Sequence, residues 1–446
     1  MRALGASRTS VATGGILGAN WARNPLWKNA RAVPGLDLRF AENKSLTDAK
    51  TGASLVTFTR ASTGTYVGSD GVLQSATTNE ARFDHNPTTG ESLGLLVEEA
   101  RTNLVQQSAD ISNVYWVKSE TTVTANAIAA PDGTTTAGKL VESTANSQHT
   151  LASAAITWVG NTQYTATFYA KAGERFNFDI LLGTGGNWVN AERVATFNVS
   201  AGACTTPNSP AIASIQAVGN GWYRCRLTAT TVASPSASAV FVRMADSTGS
   251  SSYQGITGNG IYLWGAQLEV GAFPTSYIPT TTATATRAAD VASITGTAFS
   301  SFYNQTEGTV FADAKVTTVA PATSLTSVFA LSDGTTSNRI TVYKRANADT
   351  STRLDVSTSG SSVAFINAGT FSVSNLIAAS YRVDDFAISL NGLTPGTDTL
   401  GTVPTVSRLN VGGYADSTFP LNGTIKRLTY WPVRLADPTL QAITQP

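Results

Sequence analysis

Charge is scarce in this chain. Asp, Glu, Lys and Arg make up 13% of the 446 residues, about half the ~25% usual for globular proteins. The two signs nearly cancel, leaving a formal net charge of +1. That balance excludes strong steering of the whole molecule toward nucleic acid or an acidic surface. Methionine is nearly absent, with 2 in the chain, and Lys–Glu pairs are few, which argues against a helical bundle. Cysteine occurs only at Cys204 and Cys225, too sparsely for a disulfide scaffold or a zinc cluster. The pair permits a cross-strand disulfide without requiring one, and free thiols are expected in a reducing compartment. No apolar run approaches the ~18 residues of a membrane-spanning helix. No signal peptide is evident either, because Ile16 and Leu17 stand among glycines.

What the chain has instead is Ser, Thr, Asn and 38 Gly, a mixture that suits strands joined by tight turns. Short apolar or alternating runs recur between turn signals from residue 152 to the end. They predict strands at 152–159, 163–171, 176–182, 195–199, 222–229, 239–244 and 261–268, then at 308–315, 327–331, 339–344, 353–356, 375–381, 385–390, 408–411 and 423–432. Ser69-Asp70-Gly71 and Asn391-Gly392 read as hairpin turns. One helical turn is expected at Glu98–Arg101. The stretch 58–104 is denser in turns than the rest and ends in Glu98-Glu99-Ala100-Arg101; these acids read as ion-paired structure at a joint between modules. Five units follow: an irregular basic anchor at 1–35, a small β collar at 36–105, a jelly-roll sandwich at 106–290, a linker at 291–303 and a second sandwich at 304–446. The anchor carries Arg2, Arg8, Arg23, Lys28 and Arg31 with no acid, and Trp21 and Trp27 as apolar handles, which suits a docking segment.

Particular motifs sharpen this division. The segment that opens FTRASTGTYVGSDG at Phe58 resembles part of bacteriophage virion proteins of the tail-fibre and head-spike type, as does WGAQLEVGAFPTSYIP from Trp264. Pro131-Asp132-Gly133, Ala137-Gly138-Lys139-Leu140 and GNGWYRC from Gly219 are similar to jelly-roll carbohydrate-binding modules. AASYRVDDFAISLNG from Ala378, LNVGGY from Leu409 and LNGTIKRLTYW from Leu421 resemble concanavalin-like lectin sandwiches of the laminin-G kind. The resemblance implies a virion fibre or spike, assembled in the bacterial cytoplasm and exposed on the particle. It would be a homotrimer, joined to other virion proteins through its N-terminus and binding host-surface polysaccharide.

Catalytic motifs are missing. Gly133–Lys139 spells a near phosphate loop, but Leu140 stands where a magnesium-binding Ser or Thr belongs. Only His85 and His149 exist, no G-x-S-x-G accompanies them, and His85 reads as part of a surface turn. The adjacent acids Glu98-Glu99 and Asp384-Asp385 do not form the spaced pair of a glycosidase. Sugar binding needs an aromatic platform beside planar polar side chains. Trp188 between Asn187 and Asn190 fits that best, followed by Tyr253-Gln254 and then Tyr414. A structural calcium is compatible with Asp132 or Asp290 as oxygen donors. The expectation is therefore an all-β, non-enzymatic protein of β collar, jelly-roll and concanavalin-like sandwiches that binds glycans. A purely structural decoration protein and a capsule depolymerase are the alternatives.

Overall fold

The computed structural model describes residues 24–183, 185–191, 193–206, 211–316, 325–345 and 350–446. The fold is all-β and antiparallel, and most of its strands lie in two sandwiches. The central sandwich pairs two six-stranded sheets. One holds, in spatial order, Ile212–Ala217, Trp222–Thr230, Gln163–Lys171, Gly260–Val270, Ala137–Glu142 and Thr121–Ile128. The other holds Ala203–Thr205, Val194–Asn198, Asn177–Leu182, Val240–Ala245, Thr150–Ala152 and Val117–Ser119. Their inner faces meet through Phe168, Phe178, Ile180, Phe197, Leu227, Val242 and Leu263, as alternation along each strand requires. Cys225 lies in this core and Cys204 at its margin, and both thiols are free.

The second sandwich has an eight-stranded and a seven-stranded sheet, and it draws on both ends of the chain. Leu36–Leu38 pairs with Gly423–Trp431, Leu36 opposite Tyr430. Ser92–Val97 pairs with the same late strand, and Thr57–Thr59 lies beside Val291–Thr295 in the other sheet. The segment 36–105, expected to stand as a collar, thus supplies Leu36, Leu38, Phe40, Val56, Phe58, Leu95 and Val97 to the large core of the C-terminal sandwich. Strands of three or four residues enclose too little apolar surface to stand alone. The expected linker at 291–303 is also part of this sandwich: Val291–Thr295 is a strand, and Phe299 and Phe302 are buried. The central sandwich is consequently an insertion within the other. Its entry and exit segments, Arg101–Asn103 and Ala285–Arg287, pair with each other.

Beside that junction lies a buried ion cluster. Asp290 binds Arg60 at 3.2 Å and also Arg82, while Glu98 binds Arg82 at 2.8 Å and lies 3.6 Å from Arg287. Ser276 adds its N–H and hydroxyl to Glu98 at 2.8 and 2.7 Å. Glu98–Arg101 makes no helical turn, because Arg101 already begins the entry strand. Glu99 pairs with Arg101. Asp290 has its carboxylate oxygens on arginine, and Asp132 caps Thr134; neither stands in a cluster of acids able to hold calcium among the described residues.

Two further expectations shift. The tight hairpin after Ser374–Arg382 turns at Val383-Asp384, where Arg382 faces Asp385 and Asp384 has φ of 56°. Asn391-Gly392 instead opens the longer loop to Gly396–Asp398. The described part of the expected anchor is folded onto the body. Its helix Pro25–Ala30 buries Trp27, whose indole N–H donates to Asp37 at 3.0 Å, and Ala30 joins Trp431, Leu440 and Ile443 in a small cluster. Lys28 is exposed, and Trp21 and Arg23 lie outside the described residues.

Candidate functional site

The expected sugar platforms are interior residues. Trp188 is 3% exposed and packs edge-on against Trp158, with ring centroids 5.0 Å apart. Its loop is tied down by Asn187, which donates to the Ser236 carbonyl at 2.7 Å and accepts the Ser236 N–H at 3.0 Å. Glycines around a tryptophan in sequence read as a flexible platform; here they let the chain fold the ring back into its own core. Asn190 is exposed at the end of that turn, with φ of 53°. Tyr253 is buried, donates to Glu142 at 2.7 Å and lies under Arg175. Gln254 is exposed but donates to the Thr144 carbonyl. Tyr414 is buried edge-on against Tyr343. None of these rings presents a stacking face.

A cleft lies elsewhere, where three parts of the chain meet. It encloses about 330 Å³, within the range of small-ligand sites. The first wall is formed by the early strands, with Tyr66, Asp84 and His85. The second is the outer face of the central sandwich, with Gln216, Arg224 and Tyr169, roofed by Pro274–Tyr277. The third belongs to the C-terminal sandwich, with Lys315, Val316 and Thr424.

Strand register sets the second wall. Gln216 is directly opposite Arg224, and Arg224 directly opposite Tyr169. Such partners share a face, so the three form a row across the sheet. Cys225 and Leu227 alternate to the other face and enter the core. The Arg224 guanidinium sits 5.6 Å from the Tyr169 ring centroid and donates through Nη2 to the Thr275 carbonyl at 2.6 Å. Its Nε is buried and without a partner.

On the first wall, Val67 organises both polar residues. Its N–H donates to the Asp84 carboxylate at 2.7 Å, and its carbonyl lies 3.0 Å from His85 Nδ1. A carbonyl only accepts, so Nδ1 carries the proton, and Nε2 of the neutral ring is an acceptor. That Nε2 is buried and unsatisfied. Burial raises the Asp84 carboxyl to about 6, and the nearby Glu98 charge adds to the effect. Glu98 is the opposite case: burial opposes its charge, but Arg287, Arg82 and the Ser276 donors hold it at about 2. His85 was expected in a surface turn; it instead ends the strand Phe83–His85 and is 4% exposed.

Sequence reasoning missed this site because its residues come from segments spread between Tyr66 and Thr424. One local signal existed. Trp222, Arg224 and Arg226 alternate with Tyr223, Cys225 and Leu227, giving a strand whose outward face carries a tryptophan and two arginines. Such a face is expected to lie under other structure.

No protein-family model matches the chain, and no curated protein matches it. Matches to solved structures are partial. The carbohydrate-binding module CBM40 of the Ruminococcus gnavus IT-sialidase, bound to α2,3-sialyllactose, is 20% identical; the match covers 32% of this chain and 84% of that one, with a TM-score of 0.27. Domains LG4-5 of the mouse laminin α1 chain match at 9% identity over 64% of this chain and 85% of theirs, with a TM-score of 0.20. The Trypanosoma rangeli sialidase in complex with the inhibitor DANA matches at 10% identity over 73% of this chain and 62% of its own, with a TM-score of 0.27.

Proposed function

We propose that this chain is a virion appendage subunit of a bacteriophage, a fibre or spike component, that holds host-surface glycan in the cleft between its sandwiches and does not cleave it. The observation that carries the binding reading is the cleft itself. Tyr66 offers a half-buried ring, and Gln216, Arg224 and His85 bring donors and an acceptor to the same space. An aromatic face and planar polar groups are what a sugar ring needs. The virion reading rests on the phage-type segments from Phe58 and Trp264. With it go assembly in the bacterial cytoplasm, a trimeric state and attachment through the segment before residue 24. Trimeric copies multiply a weak site through avidity, by about 10²–10⁴.

Two carboxyl groups on the cleft wall bear on the depolymerase alternative. Asp84 and Glu98 titrate far apart, as an acid and a charged partner do in glycosidases. Glu98, however, is 5% exposed and held by Arg82, Arg287 and Ser276 in the ion cluster that joins the modules, a structural placement. This supports binding without hydrolysis.

The test is a glycan array probed with the full-length protein, alongside Tyr66→Ala. Binding by the wild type, lost in a variant of unchanged melting temperature, is the expected result. A folded wild type that binds no glycan overturns the reading in favour of a decoration protein. New reducing ends after incubation with a bound polysaccharide would overturn the non-catalytic part. Immunogold labelling of intact particles tests the virion assignment.

A further inference from the structure

The cleft has an uneven charge inventory. Two cations line it from different modules: Arg224 from the central sandwich and Lys315 from the C-terminal one. Among the described residues, neither forms an ion pair with a carboxylate, whereas Glu98, Glu99 and Asp290 beside the junction are paired with arginines; the exposed Glu91, which Lys315 influences, is bonded to Lys426. The Arg224 Nε is buried with no acceptor, while Nη2 donates to the Thr275 carbonyl and to the Thr167 hydroxyl. A buried guanidinium nitrogen without an acceptor costs stability unless a ligand supplies one. The carboxyl groups do not compensate. Glu98 is neutralised by Arg82 and Arg287, and Asp84 is bonded to the Val67 N–H on the opposite wall.

We infer that the cleft takes a saccharide residue bearing a carboxylate, with its acid group on Arg224, Lys315 supplying the second positive charge, and a ring hydroxyl donating to His85 Nε2. This rests on the saccharide reading of the cleft and names its substrate class. The planar guanidinium fits a carboxylate in a way an ammonium does not. A neutral sugar would offer the Arg224 guanidinium no charged acceptor. The arrangement also makes recognition depend on assembly: Arg224 and Lys315 face one space only because the inserted sandwich docks against its host.

The experiment uses the full chain on an array of hexuronate-containing oligosaccharides and their carboxyl-reduced counterparts, with affinities of the hits measured by calorimetry. Wild type is expected to bind the acidic forms about tenfold or more tightly than the reduced ones, the range of one hydrogen bond to a charged group. Lys315→Gln should weaken the acidic forms about tenfold and leave the reduced forms unchanged, and Arg224→Gln should weaken the acidic forms more than the reduced ones. Arg224 also holds the Thr275 carbonyl, so Lys315→Gln carries the test if Arg224→Gln melts early. Equal binding of acidic and reduced sugars, or folded variants with unaltered preference, overturns the inference and leaves saccharide binding standing. Binding of neither form overturns both.

Discussion

Arg82 and Glu98 meet at 2.8 Å with both side chains shut away from solvent. The same guanidinium reaches Asp290, so one arginine joins the early strands, the entry to the inserted sandwich and its exit. Arg60 and Arg287 close the cluster.

Removing one acid from this cluster should be costly, because it strands buried positive charge. Asp290→Asn is expected to lower stability by about 3–5 kcal/mol, read from the denaturant midpoint of the C-terminal sandwich. The exposed pair Lys426–Glu91, 2.6 Å apart, supplies the contrast. Glu91→Gln should cost about 0–1 kcal/mol.

The two cleft carboxyls pull pH dependence in opposite directions. Asp84 titrates near 6 when folded against an ordinary 3.8, because burial disfavours its charge. Folding therefore favours its proton. That contribution is complete below the ordinary value and is lost as pH rises through about 6. Glu98 is depressed from 4.5 to about 2, so its contribution is present above 4.5 and disappears only as pH falls through about 2. Melting temperature should fall as pH is raised from 3.8 to about 6, and Asp84→Asn should flatten that window while leaving acid unfolding below it unchanged. The groups nearest Asp84 are Glu98, Arg82 and His85. An acidic ligand should also bind more weakly above that titration than below it, an effect absent from the Asp84→Asn variant.

Trp188→Ala is expected to act on stability. The ring packs with Trp158 and Tyr164 inside the central core, and its loss should cost about 3–5 kcal/mol. Calorimetric scanning should show the central sandwich melting early. Glycan affinity of the protein that stays folded should match the wild type.

Truncation separates docking from folding. On the proposed attachment through the N-terminal segment, deleting residues 1–23 should abolish incorporation into particles, read by immunoblotting of purified particles. Deleting residues 1–35 also removes Trp27 and Ala30, uncovering Asp37 and the Trp431 cluster, and should lower the melting temperature by several degrees. Equal melting of the two truncations would show that the helix Pro25–Ala30 contributes nothing to the body.

Strands buried on both faces or rich in apolar residues were legible almost to the residue. Gln163–Lys171, Arg339–Lys344, Asp385–Leu390 and Arg408–Val411 stand where their pattern puts them. Thr121–Ile128, Ile212–Ala217 and Ser361–Thr370 were invisible. The first two lie at the edges of their sheet, where polar Thr, Ser, Asn and Gln weaken the apolar alternation. In the third, at the end of the seven-stranded sheet, Val363 and Phe365 alternate with the buried Ala364 and Ile366, so both faces carry apolar side chains and the period of two is blurred. The site was misplaced for a related reason. Tryptophan flanked by glycine and asparagine looks like a sugar platform in one dimension, yet Trp188 had a core within reach. Tyr66, Arg224 and Lys315 carry no mark of kinship until the chain has folded.

The insertion of one sandwich into the other sets an order of events during synthesis. Asp37 waits for Thr429, which follows it by 392 positions. At ~5–20 residues per second, the first strand is on its own for roughly 20–80 s. All pairings of the inserted sandwich's two main sheets fall between Val117 and Val270, so it is free to fold while the early strands still lack partners. Leu36 and Leu38 lack their partner strand until Gly423–Trp431 has left the ribosome, whereas Phe58 meets Ala292 earlier. A chain cut short by a nonsense codon would keep a folded middle and sticky ends, the profile of a product cleared by proteases. Completion of the outer sandwich thus waits on Gly423–Trp431, the strand that also brings Thr424 to the third wall of the cleft.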